Sequence, residues 1–209
     1  MGTQRSAQHL AVVITTMAAV LSCGCASVKA VDTAGSEPGA HATNYEVAIT
    51  RKAVLPHPAR RVFDYVAAED VLPKVLTGYG PLPAVIGTSG NTGPWDTPGS
   101  ARIVHLADGT ALREAITHYA PPAEFAYRVW DFDHPIIRRL ARHGRGEWTF
   151  TEADGSTHVT WTYTFTARGA VAVVPLSAVV GWLWRGYMQA CLDNVLYHMA
   201  TAPTAPRNP

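Results

Sequence analysis

The sequence predicts an α+β domain in which a curved antiparallel β-sheet wraps around a long C-terminal α-helix, with two short helices after the first strand. Three observations carry this expectation. One alternating strand is followed by two short helical segments, a run of alternating segments with Asp-Gly turns comes next, and one long apolar helical stretch closes the domain. That order is an α+β pattern, and the sheet must curl around the last helix if both are to bury their apolar faces.

The elements follow in chain order. Tyr45 to Val54 sets Tyr45, Val47 and Ile49 against Glu46, Thr50 and Lys52, a period of two that predicts a strand ended by Pro56 and Pro58. Ala59 to Ala67 carries Val62, Phe63 and Val66 at helical spacing, and Val71 to Leu76 predicts a second short helix. Gly78, Gly80, Pro81 and Pro83 mark a bend, Leu82 to Thr88 a strand, and Gly90 to Gly99 a loop. Strands follow at Ala101–Leu106, Thr110–Tyr119, Glu124–Phe132 and Glu147–Thr151. The last, His158–Thr166, alternates Val159, Trp161, Tyr163 and Phe165 with four threonines. Asp108-Gly109 and Asp154-Gly155 supply hairpin turns. The final helix is expected from about Leu176 to Met199, entered after Pro175 with Ser177 as a candidate cap.

Of 209 residues, 47% are hydrophobic and 16% charged, with 17 basic and 16 acidic side chains. This near-neutral balance gives no electrostatic footprint for nucleic acid. Arg5 is the only charged residue before Lys29, and Leu10 to Leu21 between them is mostly apolar. Such a run is too short to span a bilayer, which takes about 20 residues, but suits the core of a secretory signal. It leads into Val20-Leu21-Ser22-Cys23, which resembles the lipobox of bacterial lipoproteins, although Leu21 stands one place nearer the cysteine than in the commonest pattern. Cys23 is therefore the expected lipidation site, and Cys25, preceded by Gly24, its rival. An ordinary cleaved signal is the plainer alternative. Residues 1–22 thus read as a signal peptide, 23–43 as a flexible tether, 44–200 as the domain and 201–209 as a disordered tail. The expected location is the cell-envelope membrane, held by acyl chains that each contribute about 0.8 kcal/mol per buried methylene, or else a secreted soluble form.

Gly99 to Gly109, Leu112 to Thr117, Pro121-Pro122, Phe125 to Val129 and Gly146 to Phe150, in that order and spacing, resemble the SRPBCC superfamily. That group is also called START-like or polyketide cyclase/dehydrase-like. The resemblance covers nearly all of residues 44–200. It implies a helix-grip fold enclosing a deep, mostly apolar cavity, in a group whose members bind lipids, sterols, hormones or polyketides and in some cases close aromatic rings.

Register decides which side chains face such a cavity. A two-residue Asp108-Gly109 turn would pair Val104 with Arg113; a three-residue turn beginning at Ala107, with Gly109 left-handed, pairs Arg102 with Glu114 and Val104 with Leu112. The second collects Arg102, Val104, Leu106, Leu112, Glu114, Ile116 and His118 on one face and is preferred because the large aliphatic side chains then share a side; one residue of slip would invert half of the hairpin. An inward Glu114 matches the glutamate that the resemblance to plant hormone receptors implies. A carboxylate at an apolar wall must be paired, hydrated or protonated. Glu114 is then either half of a structural pair with Arg102 or a polar anchor for a ligand hydroxyl or carbonyl.

Alternation also turns Phe125, Tyr127 and Val129 inward, together with Trp148 and Phe150, and Val159, Trp161, Tyr163 and Phe165. Most of these are core, but core and cavity wall share a face in this fold, and Tyr127, Trp148, Trp161 and Tyr163 carry polar atoms suited to orienting a ligand. On the last helix, Leu176, Val179, Val180, Leu183, Tyr187, Ala190, Cys191 and Asn194 recur at helical spacing. Trp182 and Trp184 lie about 200° apart and cannot both face the sheet. The chargeless stretch Ala170–Trp184 is either covered by the loop Asp133–His143 or exposes an apolar patch suited to docking on a membrane. Ile136 and Ile137 of that loop are candidates to close the cavity mouth, and its arginines read as solvated.

The function expected is binding of a hydrophobic small molecule or lipid, with no cofactor, metal or nucleic acid. The histidines show no ligand spacing, and Gly87 to Gly93 lacks the lysine and the strand-to-helix context of a phosphate loop. Cys191 has no Cys-His-Asn order around it and reads as a packed apolar residue. The alternative is a polyketide cyclase or dehydratase in which Glu114, His118 or Tyr127 handles protons.

Overall fold

A computed structural model describes residues 45–201. The segments expected to be a signal and a tether, with Cys23 and Cys25, and nearly all of the expected tail lie outside the described residues. Seven strands form one antiparallel sheet: β1 (Glu46–Leu55), β2 (Val85–Ser89), β3 (Ala101–Leu106), β4 (Ala111–Ala120), β5 (Glu124–Trp130), β6 (Ala141–Ala153) and β7 (Ser156–Ala167). Their order is β1-β7-β6-β5-β4-β3-β2, a meander closed by β1 pairing with β7. Helices α1 (Ala59–Val66) and α2 (Leu72–Val75) follow β1 as expected, and α3 (Ile137–Leu140) precedes β6. The last helix consists of α4 (Ala170–Val179), a π-helical turn (Val180–Trp184) and α5 (Arg185–Thr201).

Local signals account for most of this. The β6–β7 hairpin turns through Asp154 (φ 50°) and Gly155 (φ 72°), with Ala153 opposite Ser156. This is the two-residue loop that Asp-Gly favours. The first turn of α1 has no side-chain cap of its own. Instead the Ala59 N–H donates to Glu152 of β6 at 2.7 Å, which places a carboxylate at the positive end of the helix.

Two boundaries differ from the sequence expectation. The final helix begins at Ala170, six residues early, with Pro175 inside it and Ser177 in its interior. Pro175 leaves the Val171 carbonyl without its helical donor, but Val171 is 93% exposed, so water can satisfy it. The sixth strand starts at Ala141 rather than Glu147, because Gly144 and Gly146 occupy inward positions where no apolar side chain advertises a strand.

The core lies between the concave sheet and the final helix. Phe63 of α1 meets Tyr119 and Phe150 edge-on at 5.2 and 5.3 Å, and Trp148 stacks on Trp161 at 4.4 Å. Burying each such ring contributes about 1.5–3 kcal/mol. The helix Ala170–Thr201 is long and apolar enough to cross a bilayer by length and composition. A core helix passes the same test, and Leu176, Val180, Met188, Leu192 and Val195 are buried against the sheet.

Candidate functional site

The hairpin β3–β4 places the polar end of the site. Leu106 N–H donates to the Thr110 carbonyl at 2.9 Å, Gly109 N–H to the Leu106 carbonyl at 3.0 Å, and Gly109 has φ 83°. Asp108 fixes the turn by accepting from the Thr110 N–H and hydroxyl at 3.0 and 2.6 Å. This is the three-residue turn, so Arg102 sits opposite Glu114 and Val104 opposite Leu112. The Arg102 Nε and Nη2 atoms reach Glu114 Oε2 at 2.9 and 2.8 Å, with the two side chains 2% and 6% exposed. Arg102 also donates through Nη1 to the Glu69 carbonyl at 2.7 Å, and its guanidinium lies 3.5 Å over the Trp95 ring. Burial pushes the Glu114 carboxyl above the usual carboxylate range, against the opposing pull of Arg102. Both bonds from Arg102 fall on Oε2, so Oε1 is the oxygen available to a ligand.

Between this hairpin, β5, β7 and the final helix lies a partly open cavity. It holds about 780 Å³ of atom-free space when its mouth is counted, of which about 100 Å³ can take the centre of a water molecule. By that second measure a single water needs only about 10–15 Å³. A deeper chamber of about 30 Å³ lies beyond Tyr127, Trp161 and Glu114, which border both spaces.

Nine of the expected residues line the larger space: Val104, Leu106, Leu112, Glu114, Tyr127, Val129, Trp161, Tyr163 and Tyr187. Arg102, Phe125 and Trp148 line the deeper chamber, so they meet a ligand only if it reaches past Tyr127. Ile116 borders neither and is packed in the core.

Besides Ile116, two further expected residues are corrected. His118 does not face the cavity. An irregularity between Ile116 and His118 sets Ile116 opposite Tyr127 but His118 opposite Ala126. One extra residue flips the faces, so Tyr119 enters the core while His118 is 53% exposed, 3.5 Å from Glu124. Leu183 is likewise absent from the wall. The π-helical turn Val180–Trp184 adds a residue to the turn and shifts its phase, so Trp184 takes the inward place against Tyr163, Phe165 and Tyr187 at 4.8–5.3 Å. Trp182 points out, 64% exposed. Ile137 is buried and lines the cavity, whereas Ile136 is exposed.

The remaining wall residues come from segments whose spacing does not point at a cavity. Leu72 and Leu76 belong to the α2 region, and Leu82, Pro83 and Val85 to the bend before β2; Phe132 and His134 follow β5. Inward glycines had a readable signal. A side chain at Gly146 would collide with the Tyr127 ring, and one at Gly144 with Tyr163, so both tyrosines lie flat over bare backbone of β6.

The polar atoms around this apolar space are few. The Nε1–H groups of Trp161 and Trp184 and Nδ1 of His134 are buried without a hydrogen-bond partner among the described residues, and all three rings line the cavity. Burial raises the pKa of Tyr127, Tyr163 and Tyr187 above the usual phenol range, so they stay neutral donors. Burial raises the Cys191 thiol too, which makes it unsuited to nucleophilic work. No cluster of three His, Cys, Asp or Glu suited to a metal occurs among the described residues.

A family described as polyketide cyclase/dehydrase and lipid transport matches residues 46–198. The chain belongs to that family. No curated protein matches it in sequence. Solved structures share the helix-grip fold: ginseng major latex-like protein 151 from Panax ginseng has a TM-score of 0.57 at 11% identity, covering 73% of this chain and 97% of its own. XoxI from Bacillus cereus gives 0.56 at 14% identity, over 74% and 96% of the two chains. Ara h 8.0201 gives 0.54 at 16% identity, over 73% and 99%. At such identities the likeness concerns the fold. Family membership and fold together support an SRPBCC protein with hydrophobic ligand binding as its general capacity.

Proposed function

We propose that this protein binds a hydrophobic small molecule or lipid in the cavity between β3–β5, β7 and the final helix, for sequestration or transfer at the cell envelope. One observation carries the proposal: a largely apolar open cavity holds unpartnered indole N–H donors on Trp161 and Trp184. An unsatisfied buried donor costs about 1–3 kcal/mol, and a ligand carbonyl or hydroxyl removes that cost while its apolar body fills the space. The Val20-Leu21-Ser22-Cys23 run supports tethering through an acylated Cys23. The exposed Val171, Val174 and Trp182 on α4 and the π-helical turn support a face turned to the membrane.

Binding is favoured over the cyclase or dehydratase alternative by the state of the proton-handling candidates. His118 is outside the cavity, Tyr127 stays protonated, and Glu114 is engaged by Arg102. For the enzyme reading Glu114 remains the one carboxyl group at the wall.

The test uses the neutral apolar dye N-phenyl-1-naphthylamine with the chain purified without its first 22 residues. Saturable uptake at one site is expected, with loss of at least tenfold in affinity in Val104→Trp, whose indole would fill the wall. Uptake that Val104→Trp leaves unchanged would overturn the assignment of the site.

A further inference from the structure

Next to the cavity an open groove runs along the start of β4, the end of β5 and α3, and it shares Leu112 and Phe132 with the cavity wall. Arg138, Arg139, Arg142 and Arg168 line it. None of the four stands within 4 Å of a carboxylate among the described residues, whereas Arg113 at the far side is met by Asp131 at 3.5 Å. Asp133, the other acid of the groove, accepts from the Ala111 N–H at 3.3 Å. Two of the guanidinium groups are instead oriented by the main chain: Arg142 Nη2 donates to the Arg168 carbonyl at 3.2 Å and Arg168 Nε donates to the Arg138 carbonyl. Four cations therefore converge on one concave surface whose carboxylates are fewer and occupied.

From this juxtaposition we propose that the ligand is an amphiphile with an anionic head: the head sits among Arg138, Arg139, Arg142 and Arg168, and the tail passes between Leu112 and Phe132 into the cavity. The proposal deepens the cavity-binding function and rests on it. Planar guanidinium forks suit carboxylate and phosphate oxygens, and four like charges gathered without counter-ions repel one another until an anion joins them. The cavity wall carries one carboxyl group, Glu114, and no arginine or lysine, so it would reject an anionic head. Its polarity therefore sets the direction of entry, tail first.

The experiment displaces N-phenyl-1-naphthylamine with dodecanoate, dodecyl phosphate or dodecanol, which share one tail. Both anions are expected to displace the dye at concentrations at least tenfold below those needed for dodecanol. That preference should fall to threefold or less in Arg138→Gln/Arg139→Gln and in 0.5 M sodium chloride. These two side chains are exposed and hold no hydrogen bond of the fold, so the melting temperature and dodecanol displacement should stay unchanged. The ratio of dodecanoate to dodecyl phosphate tells whether the head is a carboxylate or a phosphate, and either ratio supports the groove. Equal displacement by dodecanol and the anions would overturn the head-group site while leaving the cavity function intact. Failure of the dye itself to bind would overturn both.

Discussion

Replacing Glu114 by leucine leaves a guanidinium that is 2% exposed with only the Glu69 carbonyl and the Trp95 ring for partners. Arginine does not give up its proton in a protein, so the charge stays buried. Breaking a buried ion pair from one side costs about 3–5 kcal/mol, and the two surviving partners place Glu114→Leu near 3. In urea, at a slope of about 2 kcal/mol per molar, the midpoint should fall by about 1.5 M. Arg102→Met is expected to cost less, because an unpaired Glu114 escapes as the neutral acid. Its folded-state pKa then lies above the unfolded value, since burial remains and the opposing cation is gone. The stability of Arg102→Met is therefore fully present at low pH and declines as pH rises, so its deficit against wild type should shrink from pH 7.5 to 5. Arg102→Met/Glu114→Leu should lie within about 1 kcal/mol of wild type. A loss below about 1 kcal/mol in Glu114→Leu, or a double variant no better than Glu114→Leu, would refute the reasoning.

Gly146→Ala puts a methyl group into the Tyr127 ring and should cost about 1–3 kcal/mol by overpacking, with weaker dye uptake as the ring swings into the cavity; urea titration and fluorescence check both. Burial is the largest influence lowering the His143 pKa, followed by Arg128, so its stabilising effect is present above pH about 6.5 and is lost as pH falls through the lowered folded value. Melting temperatures of wild type and His143→Gln, whose wild-type ring lies 3.0 Å from the Thr166 hydroxyl, should therefore converge between pH 7.5 and 5. A constant gap would contradict this. Cys191, buried and with its thiol pKa raised, should resist a thiol reagent in folded Cys23→Ser/Cys25→Ser protein and react at once in urea.

Much of the fold could be read from period-two alternation, because β1, β3, β5 and β7 each turn one face inward. The β3–β4 register was equally legible, since only the three-residue turn puts Val104 with Leu112 and gives Glu114 a partner. What escaped were local insertions. The extra residue between Ile116 and His118 and the π-helical turn at Val180–Trp184 each shift the inward face by one place, which exchanged Tyr119 for His118 and Trp184 for Leu183. No composition signal marks either. The start of β6 was hidden because its inward residues are glycines, and the walls from Leu72 to Val85 depend on how α2 and the following bend fold back over the sheet. The arginine groove joins Arg113, Arg138, Arg139, Arg142 and Arg168, far apart in sequence and brought together by the pairing of β4 through β7.

Native mass spectrometry of the chain purified from its own host, without residues 1–22, followed by organic extraction, addresses the cavity most directly. The expected result is a stoichiometric apolar or amphiphilic molecule that leaves with the solvent and is absent from Val104→Trp. A protein that flies empty, and gains no mass from added dodecanoate or dodecanol, would contradict the assignment of the cavity as a binding site.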